Sequence, residues 1–188
     1  MITVNFTPFP ELRTERLLLR RTTGADVQDL YYLRSQEEVM RYIDRPRPSS
    51  PEDIVALIAK IGSNIITNAG IEWAITWAEA GTYLGTISFH RLMKEDDRAE
   101  VGYLLHPGWQ GKGIMQEALS AVLKYGFTTM GLHSVEAMVK PENIPSQRLL
   151  ERNGFVREGY FKEHYYWQGE YKDSYIYSLL KRWWAEGK

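Results

Sequence analysis

The chain has 188 residues, 44% of them hydrophobic, which suits one domain with a filled core. Its 23 Lys and Arg against 24 Asp and Glu leave a net charge of −1, too little for a broad field that would hold nucleic acid or an anionic membrane. Any anion must be bound locally, and the absence of cysteine excludes a disulfide framework, thiolate metal ligation and a cysteine nucleophile.

The first residues, MITVNFTPFPELRTER, lack the unbroken apolar core of a signal peptide. No run approaches the roughly 20 apolar residues of a membrane span, so a cytoplasmic protein is expected. Leu12 to Arg20 is Leu-rich and alternates imperfectly, which predicts a strand. Thr23-Gly-Ala-Asp26 then reads as a helix cap ahead of Val27, Leu30, Tyr31 and Arg34. Ser50-Pro51-Glu52-Asp53 is a stronger start, with Ser as cap and Pro at the first helical position, and Ile54, Leu57, Ile58, Ile61 and Ile65 follow at helical spacing. Three strand-like runs, Glu72 to Trp77, Tyr83 to Phe89 and Ala99 to Leu105, predict an antiparallel meander.

The pattern then changes to alternating elements. A Gly-rich loop at 110–113 leads into a helix through Phe127, a strand at Ser134 to Val139, and a helix after Pro145 that ends at Asn153-Gly154. Two further strands, Phe155 to His164 and Tyr171 to Leu180, flank a turn containing Gln168-Gly169-Glu170. The class is α+β: a mixed, mostly antiparallel sheet flanked by helices around a βαβα passage. No repeat, linker or low-complexity tract divides residues 1–188, so a single domain is expected.

The chemistry centres on Gln110-Gly-Lys-Gly-Ile-Met115, where a strand passes through a glycine-rich turn into a helix. Such a turn can aim successive amides and a helix N-terminus at a phosphate, and Lys112 can add a point charge. For an isolated Gly-x-Gly, an ordinary tight helix entry is the plainer role. Walker A fails because Ile114 and Met115 follow Gly113, and the dinucleotide pattern fails because Gln116 occupies the third glycine position. The four histidines, His90, His106, His133 and His164, lack zinc-binding spacing, and there is no Gly-x-Ser-x-Gly elbow.

With its neighbours, the loop resembles the pyrophosphate loop of the GNAT superfamily of N-acetyltransferases, Arg/Gln-x-x-Gly-x-Gly/Ala, departing only in having Met115 at the small last position. Thr14-Glu-Arg-Leu-Leu-Leu-Arg20, Ala99-Glu-Val-Gly-Tyr103, Asn143-x-x-Ser146 and Leu150-x-x-x-Gly154-Phe155 extend the resemblance over nearly the whole chain. It is greatest to the branch that acetylates N-termini of ribosomal proteins. The resemblance implies acetyl-CoA as cosubstrate, no metal, and direct transfer to an amine without a covalent enzyme intermediate. It places the pyrophosphate on residues 110–115, and the pantetheine arm along backbone groups of Leu104 and Leu105 with the Asn143 side chain. Leu105 is the expected amide donor to the thioester carbonyl. Glu100 matches the family's general base, acting directly or through water, and Ser146 the group that protonates the leaving thiolate; Ser146 is equally suited to cap its helix. Strand alternation sets Glu100 on the face opposite Val101, Tyr103 and Leu105.

The aromatics Tyr160, Phe161, Tyr165, Tyr166, Trp167, Tyr171, Tyr175 and Tyr177 fall where the family builds its acceptor cleft. Strand residues of this type more often fill a core or interface. Glu158, Glu163, Glu170 and Asp173 offer either solvation or attraction for a cationic acceptor. The leading acceptor is a protein N-terminus, with polyamines and antibiotics as alternatives; a homodimer is compatible with the pattern.

Overall fold

In the computed structural model, which describes residues 1–187, eight strands form one sheet in the order β1-β2-β3-β4-β5-β6-β8-β7. The Leu-rich segment predicted as one strand is a hairpin of β1 (Leu12–Arg13) and β2 (Leu17–Arg21), because Thr14 donates its amide to the Leu17 carbonyl at 2.9 Å and turns the chain. Helix α1 (Val27–Ser35) follows where the capping signal puts it, and the four-residue α2 (Glu37–Met40) is too short to show a helical period. Helix α3 (Pro51–Ile66) starts as read, with the Ser50 amide donating to Asp53 Oδ2 at 3.3 Å.

Strands β3 (Ile71–Trp77), β4 (Tyr83–Met93) and β5 (Arg98–Leu105) make the predicted antiparallel meander, with β4 longer than expected. Helix α4 (Ile114–Tyr125) ends two residues early in a wider turn over Gly126–Met130. Strand β6 (Ser134–Val139) and helix α5 (Ile144–Arg152) complete the βαβα passage. The long strands β7 (Val156–Trp167) and β8 (Glu170–Leu180) meet in a two-residue turn with Gln168 and Gly169 at φ 48° and 89°. A short helix, α6 (Lys181–Glu186), was not foreseen.

Strand alternation sorts the meander onto two cores. Trp73, Ile75, Ile87, Phe89 and Val101 pack against Ala118, Leu119 and Val122 of α4. On the other face, Ala74, Tyr83 and Leu104 meet Leu30, Leu33 and Ile54 of α1 and α3. Each fully buried Leu, Val or Phe contributes roughly 1.5–3 kcal/mol, against at most about 1 kcal/mol for an exposed ion pair, so these two faces fix the sheet between its helices.

Every strand pairing is antiparallel except β5–β6. That parallel pairing spans only Arg98–Glu100 against Ser134–Glu136. Beyond it β5 continues to Leu105 and β6 to Val139 without pairing to each other, so the sheet forks after Glu100.

Candidate active site

A short turn at Pro107–Trp109 leads from β5 to the glycine loop. Gly111 and Gly113 have φ of 72° and 75°, the left-handed region that glycine enters without a Cβ penalty, and Gly113 is the N-cap of α4. The first intrahelical bond runs from the Glu117 amide to the Gly113 carbonyl at 3.1 Å. The amides of the turn before it have no helical carbonyl to bond and lie at the positive end of the helix dipole. Gln110, Gly111, Lys112 and Gly113 are exposed, whereas Ile114 and Met115 are 1% and 7% exposed in the α4 core. The side chain of Met115 therefore anchors the helix, leaving only its backbone as a group to offer an anion. Lys112 Nζ stands 4.5 Å from the centre of the Trp109 ring.

The Thr14–Arg20 motif, matched by resemblance alone, has a visible role here. Thr14 Oγ1 donates to Glu117 Oε1 at 2.5 Å, and Arg16 donates from its amide to Oε1 at 3.0 Å and from Nε to Oε2 at 2.6 Å. Arg16 also donates from a terminal nitrogen to the Lys112 carbonyl at 3.2 Å, so β2's entry turn grips both the loop and the first turn of α4. Burial pushes the Glu117 carboxyl up, but the bonds from Thr14 and Arg16 outweigh it and hold the group below its usual range.

Glu100 is the last residue of β5 paired with β6, at the branch of the fork, and is 7% exposed. Its Oε1 lies 3.3 Å from His90 Nε2 and its Oε2 3.9 Å from an Arg91 nitrogen. Burial works against ionisation, yet the His90 hydrogen bond and the charges of His90, Arg91 and Arg45 prevail, so the carboxyl is held below the ordinary range. Leu104 and Leu105 are on the arm that has left β6 but stays paired with β4: Leu104 fills the α1–α3 core, and the half-buried Leu105 accepts from Gln110 Nε2 at 3.4 Å through its carbonyl.

Across the fork, Asn143 rather than Ser146 caps α5: Asn143 Oδ1 accepts the Ser146 amide at 3.2 Å. This corrects the capping alternative for Ser146, which sits two residues inside the helix with its hydroxyl free for another partner. That partner is the Tyr103 hydroxyl, 2.6 Å away, on the part of β5 that has parted from β6. Burial pushes the Tyr103 phenol up to about 12 against the opposing effect of Ser146, so it stays protonated at neutral pH. The structure thus brings the loop, Glu100, Leu104, Leu105, Asn143 and Ser146 to one fork. Tyr103 stands in the Ala99–Tyr103 motif without an assigned role, and His90 is weighed only as a zinc ligand; strand register is what aims both side chains.

Residues 16–156 match the family model described as an acetyltransferase (GNAT) domain. The chain belongs to the GNAT acetyltransferase family. A GNAT relative, the uncharacterized N-acetyltransferase YoaA of Bacillus subtilis, is 35% identical over 173 residues, 92% of this chain and 98% of its own. The ribosomal protein uS5-alanine N-acetyltransferase of Escherichia coli is 34% identical over 106 residues, 56% of this chain and 55% of its own. Among solved structures, the spermidine N-acetyltransferase of Vibrio cholerae, in complex with CoA and spermine, superposes with a TM-score of 0.81 at 25% identity, covering 92% of this chain and 99% of that one. The protein is a GNAT-type N-acetyltransferase.

In the last hairpin of this GNAT fold, half of the eight aromatics expected to fill a core or interface lie outside the core. Tyr177 is buried, but Tyr160, Phe161, Tyr166 and Tyr171 are exposed, and Tyr165, Trp167 and Tyr175 are half-buried. Two of the hairpin's four acids are engaged: Asp173 accepts from the Tyr160 hydroxyl and the Glu163 amide, and Glu170 pairs with Lys172. Asp44 joins the hairpin to the fork's rim, accepting from Lys140 Nζ at 2.7 Å and the Tyr165 hydroxyl at 2.5 Å. A concavity of about 650 Å³ between residues 21–23 and α3 includes neither the loop, Glu100 nor Ser146. A cosubstrate with a long flexible arm fits an open fork better than an enclosed pocket.

Proposed function

We propose that the protein, acting as one unit over residues 1–188 in the cytoplasm, transfers acetyl from acetyl-CoA to a protein N-terminal α-amine. The observation that carries this reading is the fork itself. One opening in the sheet has an anion-binding helix entry at one end, a buried carboxylate at its branch, and a hydroxyl pair across its arms. The residues fit the cosubstrate: the backbone of Gln110–Met115 takes the pyrophosphate, and Leu104, Leu105 and Asn143 line the pantetheine.

The amine must lose a proton to attack. Glu100 receives it, directly or through water; the Leu105 amide stabilises the developing oxyanion; Ser146 returns a proton to the departing thiolate. An α-amine titrates near roughly 7.7–8.0 and lysine near roughly 10.4, so at pH 7 roughly a tenth of α-amines are neutral, against well under a thousandth of lysines. A carboxylate held low in pKa is a weak base, and it suits the acceptor that needs least help. The uS5-alanine relative supports this acceptor. The spermidine enzyme supports a polyamine instead, but two of the four hairpin acids that would attract a polycation are already engaged, Glu170 by Lys172 and Asp173 by Tyr160 and the Glu163 amide.

The test offers two peptides, one with a free N-terminus and blocked lysines, the other N-acetylated with free lysines, alongside spermidine. Mass spectrometry locates the added acetyl group. Modification of the first peptide is expected; modification of spermidine alone would move the acceptor to the polyamines.

A further inference from the structure

The register between β4 and β5 slips beside Glu100. Phe89 pairs with Val101 and Arg91 with Glu100, so His90 is the extra residue of a β-bulge, with no partner of its own on β5. Bulges re-aim a side chain, and this one turns His90 Nε2 to within 3.3 Å of Glu100 Oε1. Gly102 makes room for it: a Cβ there would stand 3.1 Å from His90 Nδ1 and 3.2 Å from Cε1. The imidazole is 41% exposed against 9% for the Glu100 side chain, so it connects a buried carboxylate to solvent. Behind it lies a cavity of about 50 Å³ lined by Asn64, Glu72, Ser88 and His90. The charged groups facing His90 are Glu100 on β5 and Glu72 on β3, itself 4.0 Å from Arg34 of α1, while Arg91 and Arg45, from the 41–50 segment, act on Glu100.

We propose that His90 and Glu100 act as a dyad, in which His90 positions the carboxylate and carries away the proton that Glu100 takes from the acceptor amine. The inference rests on Glu100 as general base and supplies what that reading lacks. A carboxylate held below its usual range does not retain a proton, whereas an imidazole ordinarily titrates between pH 5 and 8. The step balances as one proton. It leaves the acceptor's ammonium nitrogen for Glu100, directly or through one water, and passes from Oε1 to the bare Nε2 of the Nδ1–H tautomer of His90; the imidazolium so formed donates Nε2–H back to the carboxylate, the contact that holds Glu100 low, and exchange with water after proton loss restores the starting tautomer. The result is a carboxylate beside an imidazolium, which releases the proton to solvent from its exposed edge. His90 is thus a positioning residue, acting through Glu100 rather than on the substrate.

The experiment measures kcat/KM against pH for wild type, His90→Gln, Glu100→Gln and the double variant, using two peptides whose N-terminal amines titrate at different pH. Wild type is expected to show an acid-limb inflection that stays fixed when the peptide is changed. His90→Gln should lose that inflection and fall about 10- to 100-fold near neutral pH, within the range of a lost acid–base group, with CoA affinity by calorimetry unchanged. The double variant should be no slower than Glu100→Gln alone. Added imidazole should restore part of the rate of His90→Ala. A Glu100→Gln variant at full rate would overturn the base reading and the dyad with it. A slow Glu100→Gln beside a His90→Gln profile parallel to wild type, or additive losses in the double variant, would overturn the dyad alone.

Discussion

Tyr103 and Ser146 illustrate how one contact sets chemistry at the fork. With its phenol pushed up to about 12, Tyr103 stays protonated and shares a 2.6 Å contact with Ser146 in which either hydroxyl can donate; with Tyr103 as donor, the Ser146 proton is left to be aimed elsewhere. Tyr103→Phe removes only that hydroxyl. We expect kcat to fall about tenfold with KM for acetyl-CoA little changed, in keeping with a general acid's contribution, and no further fall when Tyr103→Phe is added to Ser146→Ala. Steady-state kinetics on the four proteins check this; additive losses would mean that Tyr103 acts on its own. Ser146 was reached through Asn143-x-x-Ser146, but its partner was not, because Tyr103 lies 43 residues away and meets it only after β5 leaves β6. The same holds for Arg16 on Glu117: Arg16 stood in a motif, but its contact with Glu117 spans 101 positions.

At the level of elements, the join between β2 and α1 rests on Arg20 and Asp26, which pair through two nitrogens at 2.8 and 2.7 Å with Asp26 only 3% exposed. Burial pushes the Asp26 carboxyl up, but Arg20 and Thr23 outweigh it and the group is held low. A depressed carboxyl adds stability above its unfolded pKa, roughly 3.9, and that stability is lost as pH falls through the lower folded value. Asp26→Asn should therefore cost roughly 2–4 kcal/mol at neutral pH, lowering Tm by about 5–10 °C for a chain of this size, and the difference from wild type should shrink below about pH 4. Thermal unfolding across pH checks both. Most elements were legible before the structure: α3 from Ser50-Pro51, the meander from three alternating runs, β6 to the residue. The misses share a cause. A one-turn helix at Glu37–Met40 has no period to read, and a tight turn at Thr14–Arg16 inside a Leu-rich run leaves hydropathy unchanged.

For the whole molecule, the site is a consequence of topology. One parallel pairing in an otherwise antiparallel sheet lasts three residues and then opens, and the chain returns to that opening through the loop, α4 and α5. The sequence order of strands, loop and helices announced such a passage, but neither the length of the β5–β6 pairing nor the exposure of the last hairpin is encoded locally, since both depend on how two distant segments diverge. The placement of acetyl-CoA at this opening is the central claim, and calorimetry of coenzyme A with wild type and Gly113→Val tests it most directly. Valine at φ 75° is strained by roughly 1–2 kcal/mol, and its branches stand where the pyrophosphate would approach the loop amides. The account predicts a folded variant, by circular dichroism, whose coenzyme affinity falls at least about tenfold, equivalent to about 1.4 kcal/mol. A folded Gly113→Val protein that binds coenzyme A as tightly as wild type would contradict it.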